Sequence, residues 1–314
     1  MSGDASAGAL IAVDWGTSRL RARLLDAAGR EVAATESGEG IGQISGGHEE
    51  VFERLVADWP KVPAMMAGMI GSRQGWREAA YLPCPASPDS LGGALLRFDT
   101  SVGRPVAIVP GVMLRSPQRG GDVMRGEETQ LVGLMAGAPG FAGTAVLPGT
   151  HSKWVAIAGG RIADFETYMT GEMFELLSRQ SFLRHSVADD GSELSTRPDF
   201  ALAVRRTAQE GLPFLSAIFS VRARALLDGA GGPDNIAYLS GVVIGAEIAG
   251  AMATGHLKPD VPLRIVAAAK LAEAYVRALA IAGFAAEAVD GNAMALAGLI
   301  RLARAAGFLP KANA

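Results

Sequence analysis

Over the first forty residues, short apolar runs alternate with polar turns, and no helical period shows. Leu10-Ile11-Ala12-Val13 predicts a strand, Leu20 to Leu25 a second, and Glu31 to Ala34 a third after the turn Asp26 to Arg30. Gly38 to Gly42 predicts a flexible loop; its third glycine comes one residue too early for a dinucleotide-binding fingerprint. From 48 the period changes: Val51, Phe52, Leu55, Val56 and Trp59 share one helical face over 48–59, ended by Pro60 and Pro63. Ala64 to Ile70 predicts a buried strand, 82–93 a Pro/Ser-rich loop, and Val106 to Val109 a short strand. The segment Gln118 to Asp122 predicts a hinge.

The second half repeats this grammar. A helix opens near Glu127, Thr144 to Leu147 predicts a strand, and Trp154 to Ala158 and the residues after Gly160 predict two more. Thr170 starts an amphipathic helix with Phe174, Leu176 and Leu177, and 185–200 reads as loop. Helices follow at 201–210 and 213–228. Ile236 to Gly241 reads as strand then turn, 242–254 as a Gly/Ala helix, Leu263 to Val266 as a strand, Leu271 to Ile281 as a helix, and 291–306 as a last helix. Residues 1–8, small and polar, predict disorder.

Chemistry gathers at the turns. Asp14-Trp15-Gly16-Thr17-Ser18-Arg19 ends the first strand, and such a Gly-Thr turn can nest an anion while the acid holds a metal ion. Leu147-Pro148-Gly149-Thr150-His151-Ser152-Lys153 is the same pattern with one inserted residue, about 130 residues on. Two copies suggest two related domains whose hairpins face each other across a cleft. His151 reads as a turn residue. The loop Gly71 to Arg77 gathers Arg73, Gln74, Trp76 and Arg77, a set suited to a hydroxylated small molecule bearing a carboxylate. In Met124 to Gly133, Glu127 and Glu128 open an apolar helix, where the helix dipole stabilises carboxylates.

Composition narrows the partners. The 314 residues, 49% hydrophobic and 19% charged, allow one large or two medium domains. A net charge of −3 gives no global attraction to nucleic acid or an anionic membrane, so neither is expected as a partner. The uncharged run Thr129 to Ser152 could span a bilayer by length, but repeated Gly and Pro make it helix, loop, strand and turn. No basic segment precedes a long apolar stretch, so no signal peptide is expected. The single Cys84 has no disulfide partner and fits a reducing, cytoplasmic setting.

Six stretches in order carry a resemblance: Asp14 to Ser18, Gly68 to Trp76, Met124 to Gln130, Leu147 to Trp154, Tyr168 to Glu172, and Ser240 to Glu247. They resemble the sugar-kinase branch of the actin–hexokinase–Hsp70 ATPase superfamily, most closely the 2-dehydro-3-deoxygalactonokinases. The resemblance implies an α/β fold of two ribonuclease-H-like domains flanking a cleft, here 9–118 and 119–311. It implies ATP and Mg²⁺ as cofactors and a small-molecule sugar acid as acceptor, phosphorylated at its 6-hydroxyl in galactonate breakdown. A homodimer is left open.

Carried over residue by residue, Asp14 would hold Mg²⁺, and Gly16, Thr17, Ser18 and Arg19 would cradle phosphates. Gly149, Thr150, Ser152 and Lys153 would do so from the second domain, with Gly241 and Ala268 at the nucleotide. Arg73, Gln74, Trp76 and Arg125 would grip the sugar acid. For the general base, the Gly-acid junction selects Glu127 and counting back from Gly149 selects Glu128; Glu127 is preferred. Two rivals stand beside this reading. One is a kinase of another sugar or sugar acid; the other is a nucleotide-binding ATPase or regulator without an acceptor.

Overall fold

The apolar run at Leu10 lies at the middle of a sheet. A computed structural model describes residues 8–117 and 120–311, so the expectation for the first seven residues lies outside the described ones. Strands β1 (Leu10–Trp15), β2 (Leu20–Leu25) and β3 (Glu31–Ser37) form an antiparallel meander, followed by α1 (His48–Leu55) and β4 (Ala64–Gly68). Next come β5 (Tyr81–Pro83), α2 (Pro88–Gly93), β6 (Leu96–Asp99), β7 (Pro105–Ile108), β8 (Gly111–Ser116), β9 (Gly120–Met124) and α3 (Glu127–Gly137). The second half contains β10 (Gly143–Leu147), β11 (Ser152–Ala158), β12 (Arg161–Tyr168), α4 (Thr170–Glu175), α5 (Pro198–Val204), α6 (Phe214–Leu227) and α7 (Gly232–Thr254). It ends with β13 (Leu263–Ala267), α8 (Ala269–Ala282), β14 (Glu287–Asp290) and α9 (Gly291–Ala306).

The two main sheets share one plan. The first runs β3-β2-β1-β4-β7-β6 and the second β12-β11-β10-β13-β14. In each, the first strand pairs antiparallel with the second and parallel with the strand that returns after a helix. This is the ribonuclease-H-like arrangement, present twice. Central β1 is covered on both faces and is apolar almost throughout, as a buried strand must be. Edge strand β3 is mostly exposed.

The chain forms two compact units, 1–141 with 158–164 and 291–314, and 142–157 with 165–290. The expected division between 118 and 119 falls on two residues outside the described ones, as does the start of the predicted hinge; Gly120 to Asp122 belong to β9. The first unit keeps α3 because α3 and α9 meet backbone to backbone. A Cβ on Gly298 would stand 1.9 Å from the Thr129 carbonyl oxygen, and Gln130 Nε2 donates to the Gly291 carbonyl at 3.1 Å.

Three local expectations change. Ile236 to Gly241 is no strand but part of the 23-residue helix α7. Its β-prone residues are buried nearly all round, so no 3.6-residue period survives to mark a helix. By length and composition α7 could cross a membrane, but 67% of its most apolar window is buried inside the protein, which makes it the second unit's core helix. The 82–93 segment is not all loop: it contains the end of β5 and α2, the latter opened by a Ser87–Ser90 capping box. Gly38 to Gly42 is not free: Ile41 and Gly42 donate their amides to the carbonyls of Gly16 and Thr17, at 3.0 Å each, and so brace the first hairpin.

Candidate active site

The first hairpin is tight. Gly16 N–H donates to the Arg19 carbonyl at 2.9 Å, leaving Thr17, Ser18 and Arg19 exposed at the tip. Trp15 is fully buried, and its indole N–H donates to the Glu39 carbonyl at 2.9 Å. Asp14, on the opposite face of β1, stands across from Arg21 of β2, Oδ2 to Nη1 3.6 Å. Removal from solvent raises the Asp14 pKa and the Arg21 charge works against it. The side chain still keeps 42% of its surface exposed, so it can reach a ligand.

Two positive-φ glycines bring the acids into one neighbourhood. Gly68, φ +95°, ends β4; a Cβ there would lie 3.5 Å from Asp14 Oδ1 and 2.7 Å from the Trp15 carbonyl oxygen. Gly126, φ +108°, opens α3, and its own Cβ would lie 3.5 Å from the Gly68 Cα. Only glycine adopts these angles without strain. The beginning of α3 therefore sits against the end of β4, beside Asp14.

Gly126 has no side chain to cap α3, so the two glutamates turn back and do it. Glu127 Oε2 accepts from Arg125 N–H at 3.1 Å, and Glu128 Oε2 accepts from Gly126 N–H at 2.7 Å. They differ in environment. Glu128 is fully buried, also accepts from the Thr129 hydroxyl, and has its pKa pushed up to about 8, first by burial and then by the Glu127 charge. Glu127 is half-buried. A carboxyl that is closed off and protonated at neutral pH makes a poor base; Glu127 is the one with access.

The loop after β4 divides its residues. Arg73 and Gln74 are exposed, with Arg73 Nε 3.8 Å from Glu78. Trp76 points inward: its indole packs edge-on to Phe98, ring centres 5.1 Å apart, and against Phe52 at 6.2 Å. It is half-buried, packed against the first unit's core rather than lying free on the surface. Arg125 also turns to this loop, donating to the Ala79 carbonyl at 2.7 Å and lying over the Tyr81 ring at 4.3 Å. Its contacts hold the loop's shape.

In the second unit the repeated hairpin has lost its acid. The positions of Asp14 and Arg21 correspond, pair for pair above the turn, to Val146 and Trp154, both buried. The turn is held to α4: Glu172 N–H donates to the Thr150 carbonyl at 3.0 Å, and His151 Nε2 meets Glu172 Oε2 at 2.5 Å. Gly149 and Thr150 lie open, but Ser152 and Lys153 do not. The Ser152 hydroxyl pairs with Tyr275 OH at 3.0 Å, and Lys153 Nζ donates to the His151 carbonyl at 3.1 Å. Both were expected on the phosphates and instead shape the turn from behind.

Beside the turn lies a cavity of about 410 Å³. Gly149, Thr170 and Gly171 stand at one end, Ser240, Val243 and Ile244 of α7 form one wall, and Ala268, Leu271 and Tyr275 another. Glu193 and Lys270, 3.6 Å apart, also line it. Ala268 is among the residues that line it. Gly241 is not: it faces α5, where a Cβ would lie 2.4 Å from the Phe200 carbonyl oxygen. Among the described residues, no group of three or more His, Cys, Asp or Glu could hold a metal ion by itself.

Residues 14–302 match the sequence profile of the family described as 2-keto-3-deoxy-galactonokinase. The chain belongs to the 2-keto-3-deoxy-galactonokinase family. It is 38% identical over 304 residues to the "Probable 2-dehydro-3-deoxygalactonokinase DgoK1" of Rhizobium meliloti, covering 96% of this chain and 98% of that one. It is 36% identical over 301 residues to the 2-dehydro-3-deoxygalactonokinase of Escherichia coli K12, covering 94% and 97%. A Sinorhizobium meliloti protein crystallised as a candidate 2-dehydro-3-deoxygalactonokinase superposes with a TM-score of 0.88 at 38% identity, over 94% of this chain and 98% of that one. At 14% identity and a TM-score of 0.53, the activator of 2-hydroxyisocaproyl-CoA dehydratase from Clostridium difficile shares the fold.

In this member of the 2-keto-3-deoxy-galactonokinase family, a buried group of Trp154, Thr170, Glu247 and Tyr275 lies behind the second turn; sequence reasoning included the first three in the stretches that carry the resemblance but gave them no role, and did not single out Tyr275. One signal was available. Ser240, Val243, Ile244 and Glu247 recur at helical spacing, but only if α7 is read as a helix from its start.

Proposed function

We propose that the chain is an ATP-dependent kinase that phosphorylates the 6-hydroxyl of 2-dehydro-3-deoxy-D-galactonate in the cytoplasm, giving the 6-phosphate and ADP. The observation that carries this is the family match across residues 14–302, together with a half-buried acid, Glu127, at the start of a helix that packs on Gly68, itself beside Asp14. In the transfer the sugar O6–phosphorus bond forms, the bond from the γ-phosphorus to the bridging oxygen breaks, and the hydroxyl proton goes to Glu127. The reaction needs in-line geometry and charge neutralisation more than covalent help.

Asp14 fits a magnesium ion that keeps its waters and takes its other ligands from the nucleotide, since Mg²⁺ is usually held by one or two carboxylates plus phosphate oxygens. Asp14 would hold it, and the ion would neutralise charge on the transferring group. Gly16, Thr17 and Ser18 of the first hairpin are suited to phosphate, and so, in the second unit, are Gly149 and Thr150. Exposed Arg73 and Gln74 are the groups free to take the acceptor's carboxylate and hydroxyls; Arg125 supports them from beneath. The cavity between α7 and α8, with apolar walls and Ala268 at its edge, suits a nucleotide base.

A panel of sugar acids and neutral sugars, assayed for ADP release and ranked by kcat/KM, tests the reading. The expected outcome is that 2-dehydro-3-deoxygalactonate leads by at least tenfold. ADP release at an equal rate without any acceptor would overturn it.

A further inference from the structure

A buried carboxylate lies behind the second turn, and phosphoryl transfer as described makes no use of it. Glu247 is 2% exposed and sits on α7 one helical turn beyond Val243 and Ile244, which line the cavity. The Trp154 indole N–H donates to its Oε1 at 2.7 Å, and the Tyr275 hydroxyl donates to its Oε2 at 2.6 Å. The hydroxyls of Thr170 and Ser152 also lie within its hydrogen-bonding reach. A carboxylate only accepts, so the Tyr275 proton is committed to it, and the Ser152 proton in turn to the Tyr275 oxygen at 3.0 Å.

The chain Ser152–Tyr275–Glu247 ties together three things: the residue that ends the Gly149–His151 turn, a residue lining the nucleotide cavity, and the core helix. Burying such a carboxyl is costly, and burial is the first cause raising its pKa. Packing alone does not call for it: an apolar side chain could fill the space at lower cost. What an acceptor supplies and an apolar group does not is direction. It fixes the hydroxyls of Tyr275 and Ser152, and so the place where the turn's amides point.

We propose that Glu247 is a positioning residue for phosphate binding: through Tyr275 and Ser152 it holds the Gly149–His151 turn in register with the nucleotide cavity. It touches neither substrate. Its effect reaches the nucleotide's phosphates through the turn; the Tyr275 ring also lines the cavity, and Tyr275→Phe keeps that ring while removing only the hydroxyl. The inference rests on the kinase reading for the identity of the nucleotide.

The test compares Tyr275→Phe, Ser152→Ala and Glu247→Gln with wild type. Calorimetry measures binding of ATP and of adenosine to each protein without acceptor; steady-state assays give KM for ATP and for the sugar acid. Tyr275→Phe should weaken ATP about tenfold, leave adenosine within twofold, and leave KM for the sugar acid within twofold. Ser152→Ala should change the same quantities in the same direction. Glu247→Gln should do so more strongly, because an amide can also donate and disorders the chain. Equal weakening of ATP and adenosine would mark a merely structural role and overturn the proposal. So would unchanged ATP binding in Tyr275→Phe and Ser152→Ala, whatever the stability of Glu247→Gln. A wild type that binds ATP but phosphorylates no sugar acid would refute the kinase reading alone and leave the binding comparison standing.

Discussion

Replacing Glu128 by glutamine should make the protein more stable at alkaline pH. The folded carboxyl titrates at about 8 against an ordinary value of 4.5, from burial first and the Glu127 charge second. The unfolded chain carries an ordinary glutamate, so between those two values folding must take up a proton. The folded pKa is raised, so the stabilisation is fully present below about pH 4.5 and is lost as pH rises through 8. The interval of 8 − 4.5, at about 1.4 kcal/mol per pH unit, sets a full swing on the order of 5 kcal/mol. Glutamine keeps an acceptor for the Gly126 N–H and removes the proton requirement. Urea unfolding of both proteins at pH 5, 7 and 8.5 measures the difference. The variant should gain on wild type steadily across that range, by a total of about 3 kcal/mol or more. A stability difference that stays constant with pH would show that Glu128 ionises as an ordinary surface acid, and the argument for Glu127 as the base would lose its main support.

Other outcomes follow from the same geometry. Glu127→Gln should lower kcat by roughly 10²–10⁴-fold, the usual range for a lost general base, with ATP affinity by calorimetry unchanged. Arg73→Ala should raise KM for the sugar acid far more than KM for ATP; equal increases would rule out a carboxylate clamp. Trp76→Ala should cost about 2 kcal/mol in unfolding experiments, less than a full core truncation because the ring is half-buried. If it instead raised only KM for the acceptor, the indole would be a sugar platform after all. Gly298→Ala would place a Cβ 1.9 Å from the Thr129 carbonyl oxygen, so a fall in thermal midpoint is expected, from an overpacking cost of about 2 kcal/mol or more.

The sequence made the hairpins legible because everything that defines them is local. A strand, a Gly-Thr turn and a second strand occupy about fifteen residues, and the echo at Gly149 needed no tertiary knowledge. The missing acid in the second copy is plain in the sequence, where Leu147 stands two residues before Gly149 as Asp14 does before Gly16; that Val146 takes the place of Asp14 in the strand pairing needed the structure. What sequence could not show was direction. Arg73 and Trp76 stand three residues apart in one loop, yet one is exposed and the other packs on Phe98. Ser152 and Lys153 carry the residue types of a phosphate site, but β11 is covered on both faces at these positions, and the Tyr275 hydroxyl and the His151 carbonyl engage them there. The choice between Glu127 and Glu128 also rested on burial, which depends on what α3 packs against. That partner, α9, lies more than 150 residues further along.

That distance has a consequence for how the chain is made. The second unit ends at Asp290, so all its residues have been synthesised before α9 begins. The first unit, which carries Asp14 and Glu127, needs Gly291 to Ala306 to cover α3, and so cannot close until those residues have been made. Such non-local closure is slow, and the apolar face of α3 is left open in the interval. A ribosome-bound chain halted with the residues from 291 onward still inside the exit tunnel should therefore resist protease across 165–290 while the first unit remains vulnerable. The first unit would close after the second, although its strand order starts earlier in the chain.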